Sequence, residues 1–104
     1  MDLDKKLTGI PIVDQEVSEE ILNLLIDALP NDLAEIKLLN AQGRFHELTQ
    51  RVHKLHGAVC YCGTPRLKIV LNHIETQLKN NIMDDLPHSL DLLSIEIDSL
   101  LDWF

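Results

Sequence analysis

From Ile21 to Phe104 the apolar residues recur at steps of three and four. That is the period of a helix with one buried face, and it excludes most other folds. No segment alternates apolar and polar residues as a half-buried strand does. The rhythm breaks at Asn40-Ala41-Gln42-Gly43, at Gly63-Thr64-Pro65 and at Asn80-Asn81. Four amphipathic helices with short links result, which predicts an all-α, antiparallel four-helix bundle over residues 15–104. Residues 1–14 read as an N-terminal arm or short extra helix. Gly9 and Pro11 oppose a longer helix there, while Ile10, Ile12 and Val13 are apolar enough to cover one end of the bundle.

The first long helix is expected to follow Asp14 or Ser18, both good N-caps, with Glu19 and Glu20 favouring its positive end. Its buried face is read as Ile21, Leu24, Leu25, Ala28, Leu29, Leu33 and Ile36, and Pro30 is expected to kink or divide it. The second runs from about Arg44 to Cys62 with a stripe of Phe45, Leu48, Val52, Leu55 and Val59. Gly63 stops it. Thr64 as N-cap and Pro65 in the first turn start the third, which buries Leu67, Val70, Leu71, Ile74 and Leu78. The last begins near Asp85 or Pro87 and buries Leu86, Leu90, Leu93, Ile97, Leu100, Leu101 and Phe104.

Charge narrows the function. The 104 residues carry a formal net charge of −8, so nucleic acid and anionic membrane surfaces are disfavoured partners. The segment from Arg44 to Lys79 runs the other way. It holds Arg44, Arg51, Lys54, Arg66, Lys68 and Lys79 against Glu47 and Glu75, as a site for one phosphate or one acidic partner would. No apolar run is long enough to cross a bilayer. Cys60 and Cys62 point in different directions on a helix, which fits a reducing compartment better than an internal disulfide. The expected setting is cytoplasmic, as an isolated monomer or as the C-terminal domain of an inner-membrane protein.

His53 is the residue that stands out. On a helical wheel it lies roughly 130° from the mean direction of the Phe45–Val59 stripe, so it faces solvent. Gly57 follows one turn later on the same exposed face. A glycine inside a helix costs about 1 kcal/mol relative to alanine, and here it leaves bare backbone beside an exposed imidazole. Thr49, Lys54 and His56 surround the ring at helical spacing.

The string His53-Lys54-Leu55-His56-Gly57-Ala58, followed by Gly63, resembles the histidine phosphotransfer motif, H-x-L-K-G-(S/A) with a later glycine. The fuller stretch HKLHGAVCYCGTPRLK looks most like the C-terminal phosphotransfer domains of tripartite hybrid sensor kinases of the BarA/LetS type. The resemblance implies that His53 is the phosphoacceptor of a two-component phosphorelay. It also implies that Gly57 admits the response regulator and that Gly63 ends the histidine-bearing helix. The implied partners are the receiver domain of a hybrid sensor kinase and that of a response regulator, with Mg²⁺ held by the receiver and no cofactor on this chain. One position departs: the family's lysine three residues after the histidine is His56 here. A histidine there, charged only in part near neutrality, is expected to make the lifetime of a phosphoryl group on His53 pH-dependent. Lys54 does not replace that lysine, since it points about 100° away from His53 around the axis.

Other chemistries are less well supported. No Gly-rich nucleotide loop is present, so the chain is not expected to use ATP itself. His53, His56, Cys60, Cys62 and His73 lack the spacing of metal ligands, so no metal is expected, and the cysteines read as small buried apolar residues. His46, His73 and His88 read as solvated or at the bundle edge. Tyr61, Trp103 and Phe104 read as packing residues, and Asp91, Glu96, Asp98 and Asp102 as a solvated acidic face. The rival from another class is a helical adaptor with His53 inert. The His53/Gly57 pair separates the two, because an adaptor has no need of that glycine.

Overall fold

The computed structural model describes residues 3–14 and 16–103. Five helices follow in order: α1 Leu3–Leu7, α2 Glu19–Ala41, α3 Phe45–Cys60, α4 Pro65–Lys79 and α5 Leu86–Trp103. The chain is all-helical among the described residues. α2 packs on α3 and α5, and α4 packs on the same two helices, so the four long helices close a ring around one core. A 23-residue helix is roughly 34 Å long, close to the 36 Å long dimension of the molecule.

α1 is the short extra helix. It lies on α4 and buries Leu3 and Leu7. The chain turns at Gly9, where φ is +79°, and Ile12 and Val13 then pack against the core. Ser18 takes the N-cap position of α2 in extended geometry but makes no side-chain cap bond. Asp14, the other candidate, accepts from the Glu16 N–H at 3.0 Å.

Three expectations about the helices need correction, and one is narrowed. Pro30 does not divide α2, which runs unbroken through it. The proline is exposed, and Leu22, Leu25, Leu29 and Ile36 bury the helix on both sides of it, enough to offset one lost backbone bond. The buried face of α2 is also turned: Leu22 replaces Ile21, and Leu24 is left 72% exposed, with Ala28 exposed as well. The run Ile21 to Ile26 holds more apolar side chains than one helical face can cover. Phe45 is half-exposed because it opens α3 at an end of the bundle where Leu38 is exposed too. α3 ends at Cys60, and Tyr61 and Cys62 form a turn whose N–H groups bond back to Ala58 and Val59.

The rest of the apolar pattern lands in the core: Leu48, Val52, Leu55 and Val59 from α3, the whole Leu67–Leu78 row of α4, and Leu86, Leu90, Leu93, Ile97 and Leu100 of α5. Leu101 is partly buried. The assignment of Phe104 to the core lies outside the described residues. Tyr61 and Trp103 are exposed and do not pack into the core as expected. Tyr61 sits in the α3–α4 turn, past the last row that faces another helix, and Trp103 is the last residue of α5.

Polar groups enter the core where the sequence suggested only solvent. Glu96 is buried and not part of a solvated acidic face. Arg66 donates to both its oxygens, Nε to Oε2 at 2.8 Å and Nη2 to Oε1 at 2.6 Å, which joins α4 to α5. Thr64 is buried at the N-cap position of α4 but makes no side-chain cap bond. Cys62 is buried as expected, and burial pushes its thiol pKa up. Cys60 is exposed instead, because it lies on the face of α3 away from Val59.

Candidate functional site

α3 buries one stripe, so the residues between its members must face out or sit at the edge. His53 faces out, with 73% of its side chain exposed. His56, three residues later, sits at the edge of the stripe with 18% exposed. Both rings lean toward α4 and meet one carboxylate. His53 Nδ1 is 2.5 Å from Glu75 Oε1, and His56 Nδ1 is 2.7 Å from Oε2. Lys79, one turn along α4, places Nζ 3.3 Å from Oε1.

Glu75 is almost buried. Burial alone raises a carboxyl pKa. Hydrogen bonds from His53, His56 and Lys79, with the Lys79 charge, override that and hold it down at about 2. The group is therefore ionised and can only accept. Each facing Nδ1 must carry a hydrogen. A neutral His53 then has its lone pair on Nε2, on a ring that is largely exposed. The arrangement aims an imidazole nucleophile at whatever docks on α3. A shallow cleft beside the ring is lined by His46, Thr49, Gln50, His53, Glu75 and Lys79.

The sign of the Glu75 shift predicts a pH effect. A depressed carboxyl contributes stability above its unfolded value, near 4.5, and that stability is lost as pH falls toward 2. The loss amounts to about 3 kcal/mol. Melting temperatures measured from about pH 5 down to 2.5 should therefore fall less steeply in Glu75→Gln than in the native chain. Parallel curves would mean that the carboxylate is not held by its neighbours.

Gly57 is exposed, and a Cβ built on it would meet nothing within 4 Å. The fold itself does not require a glycine there. Gly63 is different: its φ is +60°, a Cβ would lie 1.9 Å from Val17 Cγ2, and its carbonyl accepts from the Asp14 N–H at 2.5 Å. It ends the α3 segment and seats the N-terminal strap.

The other expected site residues are not all brought together. Thr49 lines the cleft, but its hydroxyl donates to the Phe45 carbonyl at 2.8 Å. Lys54 is exposed on the other side of α3, beside Arg51, and does not reach the cleft. The basic segment does not form one patch either. Arg44 pairs with Glu47, Arg51 with Asp32 and Glu35, Arg66 with Glu96, and Lys79 with Glu75. No group of His, Cys, Asp and Glu among the described residues has the geometry to hold a metal ion. His46 is exposed and 3.4 Å from Gln50, His88 lies 3.9 Å from Asp4, and His73 is half-buried under α1.

Sequence reasoning missed Glu75 and Lys79. The available signal was a lone acid adjacent to the buried Ile74 and followed by a lysine at the i+4 position. An acid inside a basic stretch and at the rim of an apolar stripe deserved a partner.

Comparison with known proteins decides the family. Residues 20–103 match the Hpt domain family, which is most of the chain. The chain belongs to the Hpt domain family. It is a histidine phosphotransfer domain of the kind found in two-component phosphorelays. It is 34% identical over 79 residues to sensor protein GacS of Pseudomonas syringae pv. syringae, covering 76% of this chain and 8% of that protein. It is 33% identical over 87 residues to sensor histidine kinase GacS of Pseudomonas protegens, covering 78% and 10%. The signal transduction histidine-protein kinase BarA of Shigella flexneri is 33% identical over 87 residues, 82% of this chain and 9% of BarA. The Hpt chain thus spans about a tenth of the length of the curated relatives it matches. No solved structure matches it. No helix among its described residues is long and apolar enough to cross a membrane.

Proposed function

We propose that His53 is the phosphoryl acceptor of this Hpt domain. It takes the group from an aspartyl phosphate on a hybrid kinase's receiver domain and passes it to the receiver of a response regulator. His53 Nε2 attacks phosphorus, the N–P bond forms, and the P–O bond breaks with its electron pair leaving on the aspartate. The Nδ1 proton stays on the ring. Glu75 accepts the Nδ1–H hydrogen bond at 2.5 Å and stabilises the positive charge that the ring develops. Lys79 adds a cation beside the cleft. Mg²⁺ belongs to the receiver, whose aspartate needs charge neutralisation. The domain acts on the cytoplasmic side of a larger kinase or as a free shuttle, and as a monomer.

The single observation that carries this reading is an exposed imidazole whose Nδ1 is fixed on a nearly buried, ionised carboxylate. A helical adaptor has no use for it. The test is incubation with phosphorylated receiver domain, then analysis of the chain for acid-labile, alkali-stable phosphate. A chain that stays unphosphorylated beside an active receiver would return the adaptor reading.

Gly57 gives an independent check. Gly57→Gln fills open space on the face that presents His53, so nothing in this fold resists it. Helix propensity should raise stability by up to about 1 kcal/mol. Transfer from a receiver should slow at least tenfold, because the added side chain stands where the partner must approach. An unchanged transfer rate in the stabilised variant would dismiss the steric role.

A further inference from the structure

We propose that His56 is a positioning residue for His53, acting through Glu75 and not by touching the phosphoryl group. The inference rests on His53 being the acceptor. It starts from where the two nitrogens of His56 go. Nδ1 donates to Glu75 Oε2 at 2.7 Å. Nε2 is buried and has no protein partner. Neither nitrogen is turned to the solvent side of α3, where a phosphoryl group on His53 stands. The ring therefore offers that group no donor.

His56 does hold the carboxylate. Glu75 has two oxygens and three neighbours. His53 and Lys79 share Oε1, and His56 takes Oε2 by itself. Without His56, Oε2 is left bare in a nearly buried place, which is costly for an ionised oxygen. The carboxylate then gains by turning Oε2 toward Lys79 or solvent, and the alignment of Oε1 with His53 is lost. The His53 ring is largely exposed, and Glu75 is its one hydrogen-bond partner among the described residues. Its tautomer follows the carboxylate. His56 thus secures the Nδ1–H form that leaves Nε2 free to attack. A lysine at 56 could also reach Glu75, but its fixed charge would weaken the pull of that carboxylate on His53.

The probe is phosphoramidate, which phosphorylates imidazole directly: the N–P bond to the ring forms as the bond to the ammonia nitrogen breaks. Ring-nitrogen NMR of the native chain at about pH 8 should show both His53 and His56 as Nδ1–H tautomers. An Nε2–H form of His56 overturns the proposal without any variant. His56→Leu keeps bulk but removes the donor. It should slow phosphorylation at His53 itself about tenfold and leave that ring as a mixture of tautomers. His56→Asn, whose amide donates from nearly the position of Nδ1, should restore most of the rate and the single tautomer. Full rate in folded His56→Leu overturns the proposal. So does a slow rate with the His53 tautomer unaltered and no rescue by Asn. If His56→Leu does not fold, the native tautomers and the Asn variant decide. Phosphate passed from a receiver to a His53→Gln chain would instead dismiss His53 as the acceptor, and leaves the His56 tautomer as a separate result.

Discussion

A His53→Gln chain is expected to take up no phosphate from a receiver, while its melting temperature stays within about 3 °C of the native value. The ring is largely exposed and belongs to no packed row, so its loss removes little buried area. Glutamine also brings a side-chain N–H, so Glu75 keeps a donor on that side. What glutamine lacks is the nitrogen lone pair proposed to attack phosphorus, and its amide is not nucleophilic. The effect on acceptance is therefore total and the effect on stability slight. Phosphate that remains on the folded variant would place the acceptor elsewhere.

Gly63→Ala is expected to be the most destabilising small substitution in the chain. Two costs combine. An alanine at φ +60° pays about 1–2 kcal/mol for left-handed geometry. Its Cβ also lands 1.9 Å from Val17 Cγ2 and 3.0 Å from Asp14 Cβ, which forces a shift worth about 1–3 kcal/mol. A total near 4 kcal/mol corresponds to a fall in melting temperature on the order of 15 °C or more for a domain of this size. The double variant Val17→Ala, Gly63→Ala separates the two. It relieves the clash with Cγ2 and leaves the backbone cost, so it should melt between the native chain and Gly63→Ala. Equal melting of the single and double variants would mean that Val17 is not what crowds the turn.

Much of this molecule was legible in its sequence. The three-four rhythm located all four long helices, and the breaks at Gly43, Gly63 and Asn80-Asn81 located their ends. His53 faces solvent because the wheel of α3 is unambiguous, with a narrow stripe and polar flanks. α2 was harder for the opposite reason. Its run of apolar residues defines no single face, so Ile21 and Leu24 were read as buried when Leu22 is. The deeper limit was the site itself. Periodicity reports how each helix relates to the core, and not which side chains of two helices meet above it. Glu75 comes 22 residues after His53, and only the packing of α4 on α3 brings them to 2.5 Å. Glu96 was misread in the same way, since its charge suggested solvent and its partner Arg66 lies 30 residues earlier.

That last pair constrains how this sequence can drift. Both oxygens of Glu96 are held by Arg66, and the carboxylate is shut away from water. Changing either residue alone strands the other, which is strongly unfavourable when the survivor is a buried charge. Exchanging both for apolar residues of similar volume is often neutral. The two positions therefore form a coupled pair whose single-step neighbours are poor and whose double-step neighbours are good. A lineage carrying the pair is expected to keep it through many other changes, and one that lost it to show both positions altered together. In single-site mutational scans the pair should rank among the least tolerant positions, although it lies away from the cleft beside His53.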